Sequence, residues 1–79
     1  MKNGEALKRC REDRGLSQSE LAKRADISVR VLQSLEQGLR DINKSSLEMV
    51  LRLAESLEVD VYDIINERER SYWRGEWHT

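Results

Sequence analysis

The stretch Gln18-Ser19-Glu20-Leu21-Ala22-Lys23-Arg24-Ala25-Asp26-Ile27-Ser28-Val29-Arg30-Val31-Leu32-Gln33-Ser34-Leu35-Glu36-Gln37 governs the reading of this chain. It holds two apolar sets at helical spacing, Leu21, Ala22 and Ala25, then Val31, Leu32 and Leu35. Only Ala25-Asp26-Ile27-Ser28 separates them. So short a gap leaves the chain no room to run antiparallel, so the two helices must cross sharply. A small residue is then needed where they approach, and Ala22 supplies it. The tight turn calls for one residue in the left-handed region, which Asp26 tolerates better than most residues with a side chain. Ser17 and Glu20 form a capping-box pair that starts the first helix near Gln18. Ser28 reads as the N-cap of the second, which runs from about Ser28 to Gln37. Ile27, Leu32 and Leu35 close the pair against a core.

Working outward, Ala6, Leu7 and Cys10 predict a helix over about Gly4–Arg14, stopped by Gly15. Gly38 ends the helix that begins at Ser28. A polar loop, Leu39–Asn43, follows, and Asn43 or Ser45 caps a fourth helix reaching about Leu57. Its apolar positions are Leu47, Val50, Leu51, Ala54 and Leu57. After a turn at Val59-Asp60, Asp60 caps a short fifth helix with Val61, Ile64 and Ile65. There Asp60 and Asp63 place negative charge at the positive end. From Asn66 the periodicity fails. The expected architecture is all-α: a compact five-helix domain over residues 1–66, with the sharp helix pair second and third, and a tail over residues 67–79.

Seventy-nine residues suffice for one small domain. No apolar run approaches the roughly 20 residues of a membrane span. The opening Met1-Lys2-Asn3-Gly4-Glu5 does not read as a leader, so a cytoplasmic location is expected. Cys10 is the single cysteine, which excludes a disulfide within this chain and a thiolate zinc site. His78, the single histidine, reads as a solvated tail residue. There is no nucleophile–base set, Gly-rich phosphate loop or metal cluster, so an enzyme is not expected, nor any cofactor. The net charge is −1, but it is unevenly spread. Residues 1–44 carry ten Lys/Arg against seven Asp/Glu, and residues 45–79 four against eight. The first part is therefore the candidate nucleic-acid side, and the acidic part would face away or toward a partner.

Several segments together resemble one family. Leu16-Ser17-Gln18-Ser19-Glu20-Leu21-Ala22, Ile27-Ser28, Leu35-Glu36-Gln37-Gly38, Arg40-Asp41-Ile42-Asn43-Lys44, Leu53-Ala54-Glu55-Ser56-Leu57-Glu58-Val59 and Tyr62-Asp63-Ile64-Ile65 are similar to the Cro and phage-repressor type of helix-turn-helix, also called the xenobiotic-response-element type. The resemblance covers about Ala6 to Ile65. It departs in two places: Asp26 stands where the family usually has Gly, and Asp41-Ile42-Asn43-Lys44 where many members have Asn-Pro. It implies a lambda-repressor-like fold and double-stranded DNA as partner. It also implies base reading by Val29, Arg30, Gln33 and Ser34, and a partly buried ion pair between Arg11 and Glu36.

The residues themselves lead to the same helix. With Val31, Leu32 and Leu35 inward, the outward face holds Val29, Arg30, Gln33, Ser34 and Gln37. Arg30 can pair bidentately with guanine, Gln33 with adenine, and Val29 can pack on a thymine methyl. Gln18, Ser28, Arg40 and Lys44 are candidate phosphate contacts, two of them at helix starts. One such helix reads few base pairs, so a dimer on a palindromic operator is expected. Candidate dimer contacts are Val61, Tyr62 and Ile65, together with Tyr72, Trp73 and Trp77 of the tail, unless those aromatics fold back on their own subunit or stay unstructured. The expected function is a transcriptional regulator, a repressor by preference, with no small-molecule effector and no membrane. The alternative is a protein-interaction module of the same fold, such as an antitoxin-like protein with a protein partner.

Overall fold

The computed structural model of the chain describes residues 4–65. The expected tail, with Tyr72, Trp73 and Trp77, and its boundary at residue 66 lie outside the described residues. The described part contains four α-helices and two 3-10 turns: α1 (Glu5–Asp13), α2 (Gln18–Ala25), α3 (Val29–Gln37), a turn at Ile42–Lys44, α4 (Leu47–Leu57) and a turn at Val61–Asp63. The expected fifth helix is therefore a single 3-10 turn. None of these helices is long and apolar enough to cross a membrane.

The helix ends follow from local hydrogen bonding. Ser17 Oγ accepts from the Glu20 N–H at 3.1 Å, and Glu20 Oε1 accepts from the Ser17 N–H at 2.9 Å, completing a capping box. That backbone bond, followed by the Ser17 hydroxyl bond, holds the Glu20 carboxyl below the ordinary glutamate range. Asp26 closes α2 in the left-handed region, at φ 57° and ψ 46°. It lets the Ile27 N–H turn back to the Ala22 carbonyl at 3.0 Å. Ser28 caps α3 through the Val31 N–H at 3.0 Å, and Gly38 ends α3 at φ 80°.

The segment before α4 differs from expectation. Ser46, not Asn43 or Ser45, caps α4, accepting from the Met49 N–H at 3.2 Å. Asp41 instead caps the preceding 3-10 turn through the Asn43 N–H at 2.9 Å. That turn drives Ile42 into the core, although it lies in a segment that reads as a polar loop. The inward seam of α4 is Val50, Leu53, Ala54 and Leu57. Leu47, the first residue of α4, and Leu51, one position beyond Val50, stay 69% and 46% exposed. Leu53 joins the seam three residues after Val50, on the face that Ala54 and Leu57 continue at four and seven.

The core is aliphatic, drawn from all four helices with Ile42, Ile64 and Ile65. Helix α2 lies at its centre, packed on both α3 and α4, while α1 packs on α3. Gly4 enters α1 at φ 92° directly over the end of α3, where an added Cβ would land on the Leu35 carbonyl oxygen. At the other side, Ile42, Leu47, Val50, Val61, Tyr62 and Ile65 line an open apolar groove of about 440 Å³.

One ion pair ties α1 to α3. Arg11 Nε donates to Glu36 Oε2 at 2.7 Å and Arg11 Nη2 to Glu36 Oε1 at 3.1 Å, a bidentate geometry. The Glu36 side chain is 2% exposed and that of Arg11 11%. Arg11 Nη1 also donates to the Leu16 carbonyl at 2.8 Å, which fixes the link between α1 and α2. The hydrogen bond to Glu36 is the main reason the guanidinium holds its proton more firmly than usual. Removing one partner strands a buried charge, so Glu36→Ala should destabilise the domain by about 3 kcal/mol or more, read as a lowered urea midpoint. A midpoint equal to that of the parent would show that the pair contributes nothing.

The capping box also makes the stability of the domain depend on pH. The Glu20 carboxyl is depressed in the folded state, so its contribution is present above the unfolded value and is lost as pH falls through the folded one. Replacing Glu20 by Gln should lower the melting temperature at neutral pH. The difference from the parent should shrink below about pH 4.5, the ordinary value for that group. Melting curves from pH 7 to pH 3 test this, and a constant difference would contradict it.

Candidate nucleic-acid interface

The buried pair continues outward to the surface of α3. Glu36 Oε1, already bonded to Arg11, also accepts from Gln18 Nε2 at 3.0 Å. Gln18 Oε1 in turn accepts from Gln33 Nε2 at 3.3 Å. The chain Arg11–Glu36–Gln18–Gln33 thus joins α1, α3 and the first residue of α2. Its buried end is charged and its outer end, Gln33, is exposed. These bonds also settle the orientation of both amides, since each Nε2 must donate along this path. Because Gln18 reads as an N-terminal phosphate contact, its pairing with Glu36 and Gln33 is not legible in sequence. The spacing of 15 residues between Gln18 and Gln33 shows nothing until the helix crossing is known.

The expected base-reading residues divide into two groups. Arg30, Gln33 and Gln37 are exposed along α3. Val29 and Ser34 are half-buried, and Val29 packs against the core. Val29 sits at the first position of α3, directly after the Ser28 cap. Val31, expected inward, is likewise only half-buried. The Ser34 carbonyl accepts the N–H groups of Leu39 and Arg40 at 3.0 and 3.1 Å, which fixes the chain as it leaves α3.

The expected phosphate contacts surround this face. Ser28 is exposed and spends its hydroxyl on the α3 cap. Gln18 is half-buried at the α2 N-terminus, where unpaired N–H groups and the helix dipole favour an anion. Arg40 and Lys44 are both exposed. Lys44 ends the 3-10 turn and does not start α4, as the sequence suggests. Leu39, 78% exposed, stands between Gly38 and Arg40. Of the expected dimer contacts, Val61 and Tyr62 are half-buried and Ile65 is buried, and all three line the apolar groove.

Known proteins share this organisation. A family model described as helix-turn-helix matches residues 7–64. The chain is 29% identical over 73 residues to the HTH-type transcriptional regulator SinR of Bacillus licheniformis, a match covering 92% of this chain and 64% of that protein. SinR of Bacillus subtilis (strain 168) matches over the same shares at 27% identity. The chain thus spans somewhat less than two thirds of these curated relatives. Among solved structures, the restriction-modification controller protein C.AhdI from Aeromonas hydrophila superposes with a TM-score of 0.71 at 29% identity. That superposition covers 78% of this chain and 89% of C.AhdI. The sharply crossed pair α2 and α3 is therefore an architecture shared with known helix-turn-helix proteins, and the chain belongs to the Cro and C1 type of the helix-turn-helix family, which is non-enzymatic.

Proposed function

We propose that this chain is a sequence-specific, double-stranded DNA-binding transcriptional regulator that acts as a dimer on a palindromic operator, as a repressor through occupancy. The observation that carries this reading is the Glu36–Gln18–Gln33 relay. It places a side chain suited to adenine on an exposed helix face, beside a helix N-terminus suited to phosphate. A protein-interaction module would gain nothing from that placement. In this reading α3 lies in the major groove, with Arg30 on guanine, Gln33 on adenine and Gln37 further along the same face. The half-buried Val29 and Ser34 contribute apolar contact and close approach at its edge. Gln18, Ser28, Arg40 and Lys44 hold the flanking phosphates.

A second copy would meet the chain on the side formed by α4 and the final 3-10 turn. Leu51 is exposed there, and Val61 and Tyr62 are half-buried. Two copies would then present their α3 helices to half-sites about 34 Å apart.

Selection from a random duplex pool should first yield an operator with two-fold symmetry. On it, Arg30→Ala should cost about 1–3 kcal/mol and relax preference at one base position per half-site, whereas Lys44→Ala should weaken operator and random duplex alike and reduce the salt slope by about one. Fluorescence anisotropy across a salt series distinguishes the two. Absence of binding to any duplex at low salt would return the chain to the interaction-module reading. Sedimentation should show a dimer that Leu51→Glu converts to monomer. A parent that remains monomeric on its operator would exclude the dimer.

A further inference from the structure

We propose that Leu39 is a further specificity-determining residue, which packs on the C5-methyl group of a thymine at one position of each operator half-site. The inference rests on the reading of α3 as the helix that enters the major groove, and adds to it a base contact from beyond the end of that helix. Leu39 is 78% exposed, more than Leu47 or Leu51. Its backbone is nonetheless fixed. Gly38 ends α3 at φ 80°, and its N–H donates to the Leu35 carbonyl at 3.3 Å. The Leu39 N–H donates to the Ser34 carbonyl at 3.0 Å, which completes a Schellman motif. The Arg40 N–H reaches the same carbonyl at 3.1 Å, and Asp41 is committed to the next turn through the Asn43 N–H. In such a motif the residue after the glycine commonly packs an apolar side chain on the last turns of the helix. Here the positions it would cover are Ser34 and Gln33, both polar. Leu39 is thus held at the end of α3 by its backbone while its side chain has no apolar seat on that helix.

The neighbours of Leu39 identify what it meets. Gln37 and Arg40, on either side, are exposed and polar. Leu47 and Leu51, the other exposed leucines, belong to α4 and to the side assigned to a second copy. A protein interface is built round a contiguous apolar patch, and Leu39 stands among polar residues. The major groove offers the complementary surface. Its base edges are donors and acceptors, broken by one apolar group, the thymine methyl. A single leucine beside Gln33, Ser34 and Gln37 in sequence matches that single methyl beside polar edges. The fixed backbone also matters, because only the side chain of Leu39 remains to be ordered on contact.

The test replaces the thymines of the selected operator by deoxyuridine, one at a time, which removes the methyl group and nothing else. Binding of the full chain, Leu39→Ala and Leu39→Lys is measured by fluorescence anisotropy. The parent should lose about four-fold at one position of a half-site, the contribution of one buried methyl group. Leu39→Ala should bind the unmodified operator several-fold more weakly and be indifferent to deoxyuridine at that position. Its salt slope should equal that of the parent, because an apolar contact releases no counterion. Leu39→Lys should be equally indifferent there, with a slope steeper by about 0.9. Helical circular dichroism and melting temperature should be those of the parent in both variants, since the side chain is exposed. Equal deoxyuridine penalties in the parent and in Leu39→Ala at every position would overturn the contact and leave the operator reading intact. A loss shared equally by operator and random duplex would place Leu39 on the sugar–phosphate backbone and overturn its role in specificity. Weaker dimerisation of Leu39→Ala without DNA, with no such coupling, would assign the residue to the second copy and overturn the contact. A parent that binds no duplex would overturn the operator reading itself, and this contact with it.

Discussion

The proposed DNA-facing side of α3 depends on a carboxylate that is almost fully buried. Glu36 projects from the helix expected to enter the groove, yet its side chain points back into the domain, where Arg11 holds both of its oxygens. A buried ion pair of this kind contributes little net stability, because desolvation offsets attraction. Its value lies in geometry. The guanidinium is planar and its bidentate contact has one good orientation, so α3 cannot rotate or slide against α1 without breaking it. Gly4 adds a second constraint at the same junction, since only a residue without Cβ lets the start of α1 sit on the end of α3. Folding and the proposed DNA face are thus joined at one residue.

Much of this fold is legible from short-range rules. The capping box at Ser17 and Glu20, the left-handed Asp26, the Ser28 cap and the Gly38 stop are each set by residues within four positions of one another. Where the reading fails, the competing influence is tertiary. Ile42 stands alone among polar neighbours, and only the 3-10 turn capped by Asp41 brings it inward. Leu47 and Leu51 match a helical stripe as well as Leu53 does, and the position of α2 decides which stripe is buried. The final helix shortens to a 3-10 turn although its Asp60 start signal is correct. A cap specifies where a helix begins, not how far it continues.

The candidate interface was legible in its residue types and less so in its connections. Arg30, Gln33 and Gln37 are exposed as a helical wheel predicts, whereas Val29 packs against the core. The bonds that link Gln18 to Glu36 and to Gln33 cross between helices, and no periodicity within a helix encodes them. The electrostatics set a further condition. Arg30 is the single cation of α3, and the chain as a whole carries −1. Counterion release, which drives indiscriminate attraction to duplex, is therefore weak for the proposed regulator. Discrimination would rest on geometry at base edges and on a second copy.

The relay from Glu36 through Gln18 to Gln33 has a consequence for how that discrimination is achieved. A free glutamine on a helix surface samples many rotamers, and fixing one on a base costs up to about 1.5–2 kcal/mol of side-chain entropy. Here Gln33 is already held by its amide nitrogen, and Gln18 is held from below. That ordering is completed when the domain folds, so little of it remains to be lost on contact with a duplex. In the proposed complex, a base that matches the held amide would gain its hydrogen bonds at little ordering cost, and one that does not would first have to draw Gln33 away from Gln18.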